Sequence, residues 1–425
     1  MNCKNPEEWT FPSRFRTGAY SWKASRLACQ RLREAVSEIK KVAKKDPVYA
    51  AEGAIRLMGK LWPALEHVDS SSGALGSAVN NALDALIPII VNAPADKKTR
   101  EKWLDRLWQA MADDGVDYLG LVGERWGEIC GSPEVAGRWG NDLVGTVRAC
   151  WTDPNPGSYF HGTTACLSCL LVAGRYQELL ELLELDRYSM WHYRRYGVEA
   201  LLALGRKAEA VQYAEASRGL NQPDSVIDRA CEEILISSGM HEEAYKRYGL
   251  NAAVGNSYIA RFRAVVKRYP MKDKSQILTD LIATTPGEEG KWFATAKELE
   301  LYDLALELAN QSPCDPKTLT RAARDYLDAA PEFALDSALA ALRWLGKGWG
   351  YEVTSVDVVE AYDRAVDAAA RLNNIDDVTE QIRQLLEADD SASSQFVRQA
   401  LQGRMCAYRN GNSTVAYWYI LDNST

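Results

Sequence analysis

The residues best able to do chemistry in this chain are few. Cys150, His161, Cys166 and Cys169 fall within 20 residues. Four nitrogen and sulfur ligands in so short a span can build a tetrahedral zinc site. The same stretch also reads as packing. TTACLSCLLVAG (163–174) has the pattern of one continuous helix, and cysteines at i and i+3 on its apolar face suit a hydrophobic core. A single CxxC is a far weaker signal than two, so these four stand as weak metal candidates and the expectation is a protein without metal. TPGEEGKWF (285–293) holds part of a phosphate loop, but Thr285 occupies the first glycine position and Trp292 the magnesium-binding Ser/Thr position. Glu288 and Glu289 would repel a phosphate, and GKGWGY (346–351) is a glycine-rich turn without the rest of the motif. No cofactor is expected. With only His67, His161, His192 and His241 available, no nucleophile–base arrangement such as HExxH or GxSxG can be read.

Two stretches combine aromatic rings with cations. RYSMWHYRRYG (187–197) brings Trp191, His192, Tyr193, Arg194, Arg195 and Tyr196; SYIARFRAVVKRYP (257–270) brings Tyr258, Arg261, Arg263, Lys267 and Arg268. Arginine and aromatic side chains are the groups that most often anchor a protein partner. The partner-binding candidates are Trp191, His192, Arg194, Arg195, Tyr196, Tyr258, Arg261, Arg263 and Lys267, and an extended acidic peptide suits such a surface. The competing reading is a packed aromatic core with solvated arginines. Asn80 and Asn81 lie in an otherwise apolar run after a serine-rich loop. At least one of these amides is expected to cap or bridge backbone groups.

The elements that must position these residues are helices. Between Lys23 and Ala400 apolar residues recur at spacings of three and four, as in Leu104, Leu107, Trp108 and Met111. Short breaks such as KKDP (44–47), NAPAD (92–96) and SPCDP (312–316) separate the runs, and Asp96, Asp224 and Asp315 stand where a helix cap belongs. Only TVAYWYILD (414–422) resembles a strand. The reading is an all-α chain of about 20 helices.

A repeat underlies the pattern. GRYQELLELLE (174–184), GRKAEAVQYAE (205–215) and GMHEEAYKRYG (239–249) begin on glycines 31 and 34 residues apart. Five residues after each glycine an inward stripe begins, at Leu179, Ala210 and Ala244. ELYDLALELAN (300–310) repeats the register with Glu300 and Ala305, and NNIDDVTEQI (373–382) repeats it again. A period near 34 with a helix on either side of the turn marks stacked helical hairpins, each of which needs its neighbour to cover an apolar face.

These segments resemble tetratricopeptide repeats over roughly 150–390, carried by GRYQEL and GRKAEA, with Trp191 in place of the early aromatic of the first helix. Residues 24–150 have similar helices without that register and are HEAT-like. The whole chain resembles uncharacterised bacterial all-helical proteins in stretches such as DPVYAAEG, APADKKTREKWLDRLWQA and SPCDPKTLTRAARD. The resemblance implies a right-handed α-solenoid. Its expected parts are an N-terminal HEAT-like segment (1–150), TPR-like repeats (151–395) and a C-terminal helix end with a tail (396–425).

Charge and cysteine content bound the function. The chain carries a net −8, but residues 1–50 hold 11 Lys or Arg against 5 Asp or Glu, and most of that excess lies in RLREAVSEIKKVAKK (31–45). Nine scattered cysteines form no secretory disulfide pattern, MNCKNPEEWTFPSRF lacks a signal-like apolar stretch, and a reducing cytoplasm is the expected compartment. Apolar runs such as ALIPIIV (85–91) are shorter than the roughly 20 residues a bilayer requires. The expectation is a non-enzymatic scaffold or adaptor that binds a protein or peptide along a groove. The alternatives are a nucleic-acid-binding repeat protein using the basic helix and arginine clusters, or an enzyme whose site is not legible in sequence.

Overall fold

The computed structural model describes residues 9–154, 159–219 and 222–409, with side chains to Arg404. Helix accounts for 73% of the residues, and no strand occurs among those described. The strand-like 414–422 lies outside them. The chain forms two compact units, Met1–Ser237 and Ser238–Thr425. That division falls inside the segment read above as one run of repeats.

The first unit contains α1 (Ser25–Ala43), α2 (Pro47–Leu65), α3 (Ala74–Val91), α4 (Lys97–Ala112), α5 (Gly120–Glu124), α6 (Trp126–Ile129), α7 (Pro133–Thr152), α8 (Thr163–Val172), α9 (Tyr176–Leu183), α10 (Trp191–Ala203), α11 (Lys207–Glu215) and α12 (Asp224–Ser237). Helices α1, α2 and α3 pack on one another, α8 packs on α6 and α7, and α8 to α12 stack each on the next. The second unit contains α13 (His241–Ala244), α14 (Leu250–Ala252), α15 (Tyr258–Arg268), α16 (Lys274–Ala283), α17 (Phe293–Glu298), α18 (Tyr302–Gln311), α19 (Pro316–Asp325), α20 (Pro331–Gly346), α21 (Ser355–Arg371), α22 (Ile375–Glu387) and α23 (Ala392–Arg409). There α19, α20 and α21 form the tightest layer.

The repeat register read from sequence is visible in the backbone. Gly174, Gly205, Gly239, Glu300 and Asn373 all have φ between 56° and 76°. Four of these turns close the same way. The residue after the left-handed position donates its N–H five residues back: Arg175 to Leu170, Arg206 to Leu201, Leu301 to Ala296 and Asn374 to Ala369, at 2.8–3.0 Å. This is the Schellman closure, which satisfies carbonyls the helix leaves open and reverses the chain. Five residues on, Leu179, Ala210, Ala244, Ala305 and Val378 are all buried. Gly348 makes a further closure of this kind, with Trp349 N–H on the Trp344 carbonyl at 2.9 Å.

Side chains outside the repeat fix the junctions. Asp96 and Asp315 accept the Thr99 and Thr318 N–H groups at 2.7 and 3.0 Å, as their sequence positions predict. Asp224 instead is the first residue of α12 and pairs with Arg218 at 3.3 Å. Arg100 is 9% exposed and donates to the carbonyls of Ile90 (2.9 Å), Ala93 (2.7 Å) and Ile129 (3.2 Å), tying the ends of α3 and α6 to α4. Each unit also docks a glycine on a serine: Gly127 N–H donates to Ser168 Oγ at 3.0 Å, and Gly290 N–H to Ser312 Oγ at 2.8 Å.

The expectation for Asn80 and Asn81 is overturned, since both are exposed. Leu75, Val79, Leu83, Leu86, Ile87 and Ile90 take the buried side of α3, and the adjacent amides are left on the solvent side of the same turn. Helix α3 is long and apolar enough to cross a membrane by length and composition alone, and its buried residues pack it against α1 and α2.

Candidate functional site

A cleft of about 150 Å³ opens in the first unit where the loop before α5 meets the beginnings of α8 and α10. Met111, Asp117, Gly120, Glu124, Tyr159, Phe160, His161, Thr163, Thr164, His192 and Tyr193 line it.

The acid is presented by a tight local turn. Asp114 folds the loop back by accepting the Val116 N–H at 3.2 Å and the Leu119 N–H at 2.7 Å. Asp117 then sits at φ 60°, uncommon for a residue with a side chain. A Cβ on Gly120 would lie 2.9 Å from Asp117 Oδ2, so the glycine leaves room for the carboxylate to lie back along the helix start. The cleft walls withdraw part of its water and raise the Asp117 carboxyl above its ordinary range, with His161 opposing the shift. His161 Nε2 is 4.0 Å from Asp117 Oδ1, and 63% of the Asp117 side chain remains open to solvent.

The opposite wall is the first turn of α10. Asp186, only 6% exposed, accepts the N–H groups of Tyr188 and Met190, each at 3.1 Å, and so shapes the loop leading into the helix. Gln222 accepts the Trp191 N–H at 2.8 Å and closes the helix start. This presents His192 and Tyr193 to the cleft, their rings 3.9 Å apart. Burial pushes the Tyr193 phenol up to about 12 and lowers the His192 imidazole, although Asp186 and Glu124 pull the imidazole the other way. Glu124 is balanced by Arg195 at 2.8 Å. Asp117 is therefore the carboxylate left largely open in the cleft, with the His161 imidazole 4.0 Å away and the rings of Tyr159, Phe160, His192 and Tyr193 around it.

The sequence-predicted residues fall into distinct settings. His192 lines the cleft and Trp191 flanks it. Arg195 lies over the Tyr196 ring at 4.8 Å, and Tyr196 is buried with its hydroxyl donating to the Glu124 carbonyl at 2.9 Å. Arg194 is covered: its side chain is 13% exposed, stacks over Tyr213 at 4.8 Å and bonds Ser189 Oγ at 3.0 Å. In the second unit, Tyr258 donates to Glu288 and packs edge-on against Trp292 at 4.8 Å. Arg261 bonds the Leu250 carbonyl at 2.8 Å, and Arg263 grips both oxygens of Glu298. Lys267 is exposed.

The weak metal candidates are separated by role. Cys166 and Cys169 are fully buried on α8; burial pushes the Cys166 thiol up to about 12, and a hydrogen bond with the Cys130 thiol raises Cys169. Cys150 is half-buried on α7, and His161 faces the cleft. Among the described residues no three His, Cys, Asp or Glu side chains are grouped to hold a metal. The TPGEEGKWF turn is filled by its own carboxylates: Glu289 accepts the Gly287 N–H at 2.8 Å, and Glu288 takes Tyr258 and Lys291.

Sequence reasoning passed over Asp117. It lies 44 residues from His161 and 75 from His192, and only its position after the DDG of the 113–115 turn hinted at a shaped loop. No family model matches the chain, and no curated protein matches it.

Proposed function

We propose that this protein is a non-enzymatic scaffold, a right-handed α-solenoid of TPR-like and HEAT-like hairpins working in the bacterial cytoplasm. It binds a protein or peptide partner, and the cleft receives a basic side chain of that partner. The repeated Schellman turns with a buried residue five positions on support the hairpin stacking. All seven described cysteines are free, which suits a reducing compartment.

The observation that carries the binding reading is the cleft itself. About 150 Å³ is below the roughly 300–1,000 Å³ of sites for drug-sized ligands, and it matches one side-chain head group. A carboxylate that is 63% exposed and flanked by Tyr159, Phe160, His192 and Tyr193 suits an ammonium or guanidinium, which gains from both charge and ring faces. Arg194 and Arg195 do not offer the reverse preference, because Glu124, Glu184 and the Tyr213 ring already engage them.

The test is binding of a fluorescent pentapeptide with one central arginine, beside the same peptide with glutamate there. The arginine peptide is expected to bind and to lose at least tenfold in affinity on Asp117→Asn, a loss of about 1.4 kcal/mol. Equal binding of both peptides, or no change on Asp117→Asn, would refute the reading.

A further inference from the structure

Helix α1 carries a second surface of opposite sign. Lys23, Arg26, Gln30, Arg33, Ser37, Lys40 and Lys44 follow one another at alternating spacings of three and four, and every one is exposed. Within α1 that spacing lays Arg26 to Lys40 along one side of the helix, a line of about 20 Å at 1.5 Å per residue, with Lys23 in the turn before it and Lys44 at its C-terminal cap. The opposite side, with Ala28, Leu32, Ala35 and Ile39, is at most 1% exposed. Both glutamates of the helix are drawn elsewhere. Glu34 takes Arg14 at 2.6 Å and Arg31 at 2.8 Å, and Glu38 accepts the N–H and hydroxyl of Thr10 at 2.7 and 2.8 Å. Among the described residues no carboxylate pairs with Lys23, Arg26, Arg33, Lys40 or Lys44. Trp22 stands beside the first of these cations with 64% of its surface exposed.

We infer that this stripe binds the phosphate backbone of single-stranded nucleic acid, with Trp22 stacking on a base. Five unpaired cations along one line, interrupted only by the neutral Gln30 and Ser37, match an extended polyanion rather than a point charge. An exposed indole at its end is the sequence-tolerant stacking platform that single strands use. A lipid surface fits less well, because the apolar side of α1 is built into the core and cannot enter a bilayer. The surface is separate from the cleft, and the two stand or fall independently.

The experiment is fluorescence anisotropy of the full chain with labelled oligothymidylate of about 20 nucleotides, between about 50 and 200 mM salt. Binding is expected to weaken linearly in the logarithm of salt. The triple variant Arg26→Glu, Arg33→Glu, Lys40→Glu should bind at least 100-fold more weakly. Neutralising the same residues to Gln should lower the salt slope by about two, at roughly 0.7 per lost phosphate contact. Trp22→Ala should weaken binding about tenfold while leaving the slope unchanged. Thermal melts that match the parent would place these losses at the surface. Three results would overturn the inference: no binding at low salt, unchanged binding by the Gln variant, or equal competition by polyglutamate or phosphatidylserine vesicles.

Discussion

The stretches 187–197 and 257–270 look alike on paper, and the fold treats them differently. Each is a helical start with aromatic rings and several cations. In α10 the first turn faces an open space, because the Asp114 turn brings Asp117 to the other side of it. In α15 the matching ring, Tyr258, is closed over by the 285–293 turn, which supplies Glu288, Lys291 and Trp292. Arg261 and Arg263 are then taken by a backbone carbonyl and by Glu298. A cation's availability is decided by what a distant segment brings to it, and composition within one helix does not record that.

The sharpest way to break the comparison is through the core of α10. Leu201 is 4% exposed, whereas its neighbour Leu202 is only half-buried. Leu201→Ala is expected to destabilise the first unit by about 2–5 kcal/mol, and Leu202→Ala by clearly less. Chemical denaturation followed by tryptophan fluorescence measures both; equal losses would mean that the face of α10 is rotated from the one described.

The next effect concerns Arg194, which sequence reasoning placed at the surface. A glutamate there would lose the Tyr213 stacking and the Ser189 bond, and would set a second carboxylate beside Glu184. We expect Arg194→Glu to destabilise by about 1–3 kcal/mol, the cost of losing a covered charged hydrogen bond and its ring stacking. A melting temperature equal to the parent's would return Arg194 to the list of free surface cations.

Cleft binding should respond to pH in a definite direction. The Asp117 carboxyl is raised, so its ionised form is relatively disfavoured in the folded state. Its contribution to stability is therefore present below the ordinary carboxylate range and is lost as pH rises through the raised value. Cation binding runs the other way, because it needs the ionised form. His192 has a lowered value, and it adds positive charge to the cleft only once the pH falls below the ordinary histidine range. Acidification from neutrality to about pH 4 should thus weaken the arginine peptide. His192→Gln should make that loss smaller without abolishing it, since Asp117 and His161 remain in the cleft. Affinity independent of pH would remove Asp117 from the binding role.

Much of the helix-and-turn register was legible because it is a local property. A glycine at a helix end, or an asparagine as at 373, accepts a left-handed backbone, and an apolar residue five positions later shows in the string itself. Glu300 was legible only through its neighbours, since its own side chain does not favour φ 60°. The cleft was only half legible. His161 and His192 drew notice, but for a metal site and a binding groove. Asp117 joins them through a turn built by Asp114, and no spacing rule links 114, 117, 161 and 192. The covered state of Arg194 was equally hidden, because Tyr213 reaches it from the following helix.

The smallest effect sharpens the comparison from the other side. Arg263 holds Glu298 with both nitrogens of its fork, yet its side chain is 62% exposed and its partner's 37%. An ion pair that open gains little, because water and salt screen the attraction and two long side chains lose freedom in making it. Arg263→Glu replaces a weak attraction with a weak repulsion in solvent, and should change stability by no more than about 0.5–1 kcal/mol. The measurement is a melt at low and at high salt, where the small difference should shrink further as screening grows. The contrast with Arg194→Glu is the point of the pair. The same substitution in one arginine from each stretch is expected to differ several-fold in cost, because one guanidinium lies on a covered ring and the other lies in water. Matching losses at the two sites would show that burial does not separate the two stretches, and the distinction between a cleft-forming helix and a stitched one would fail.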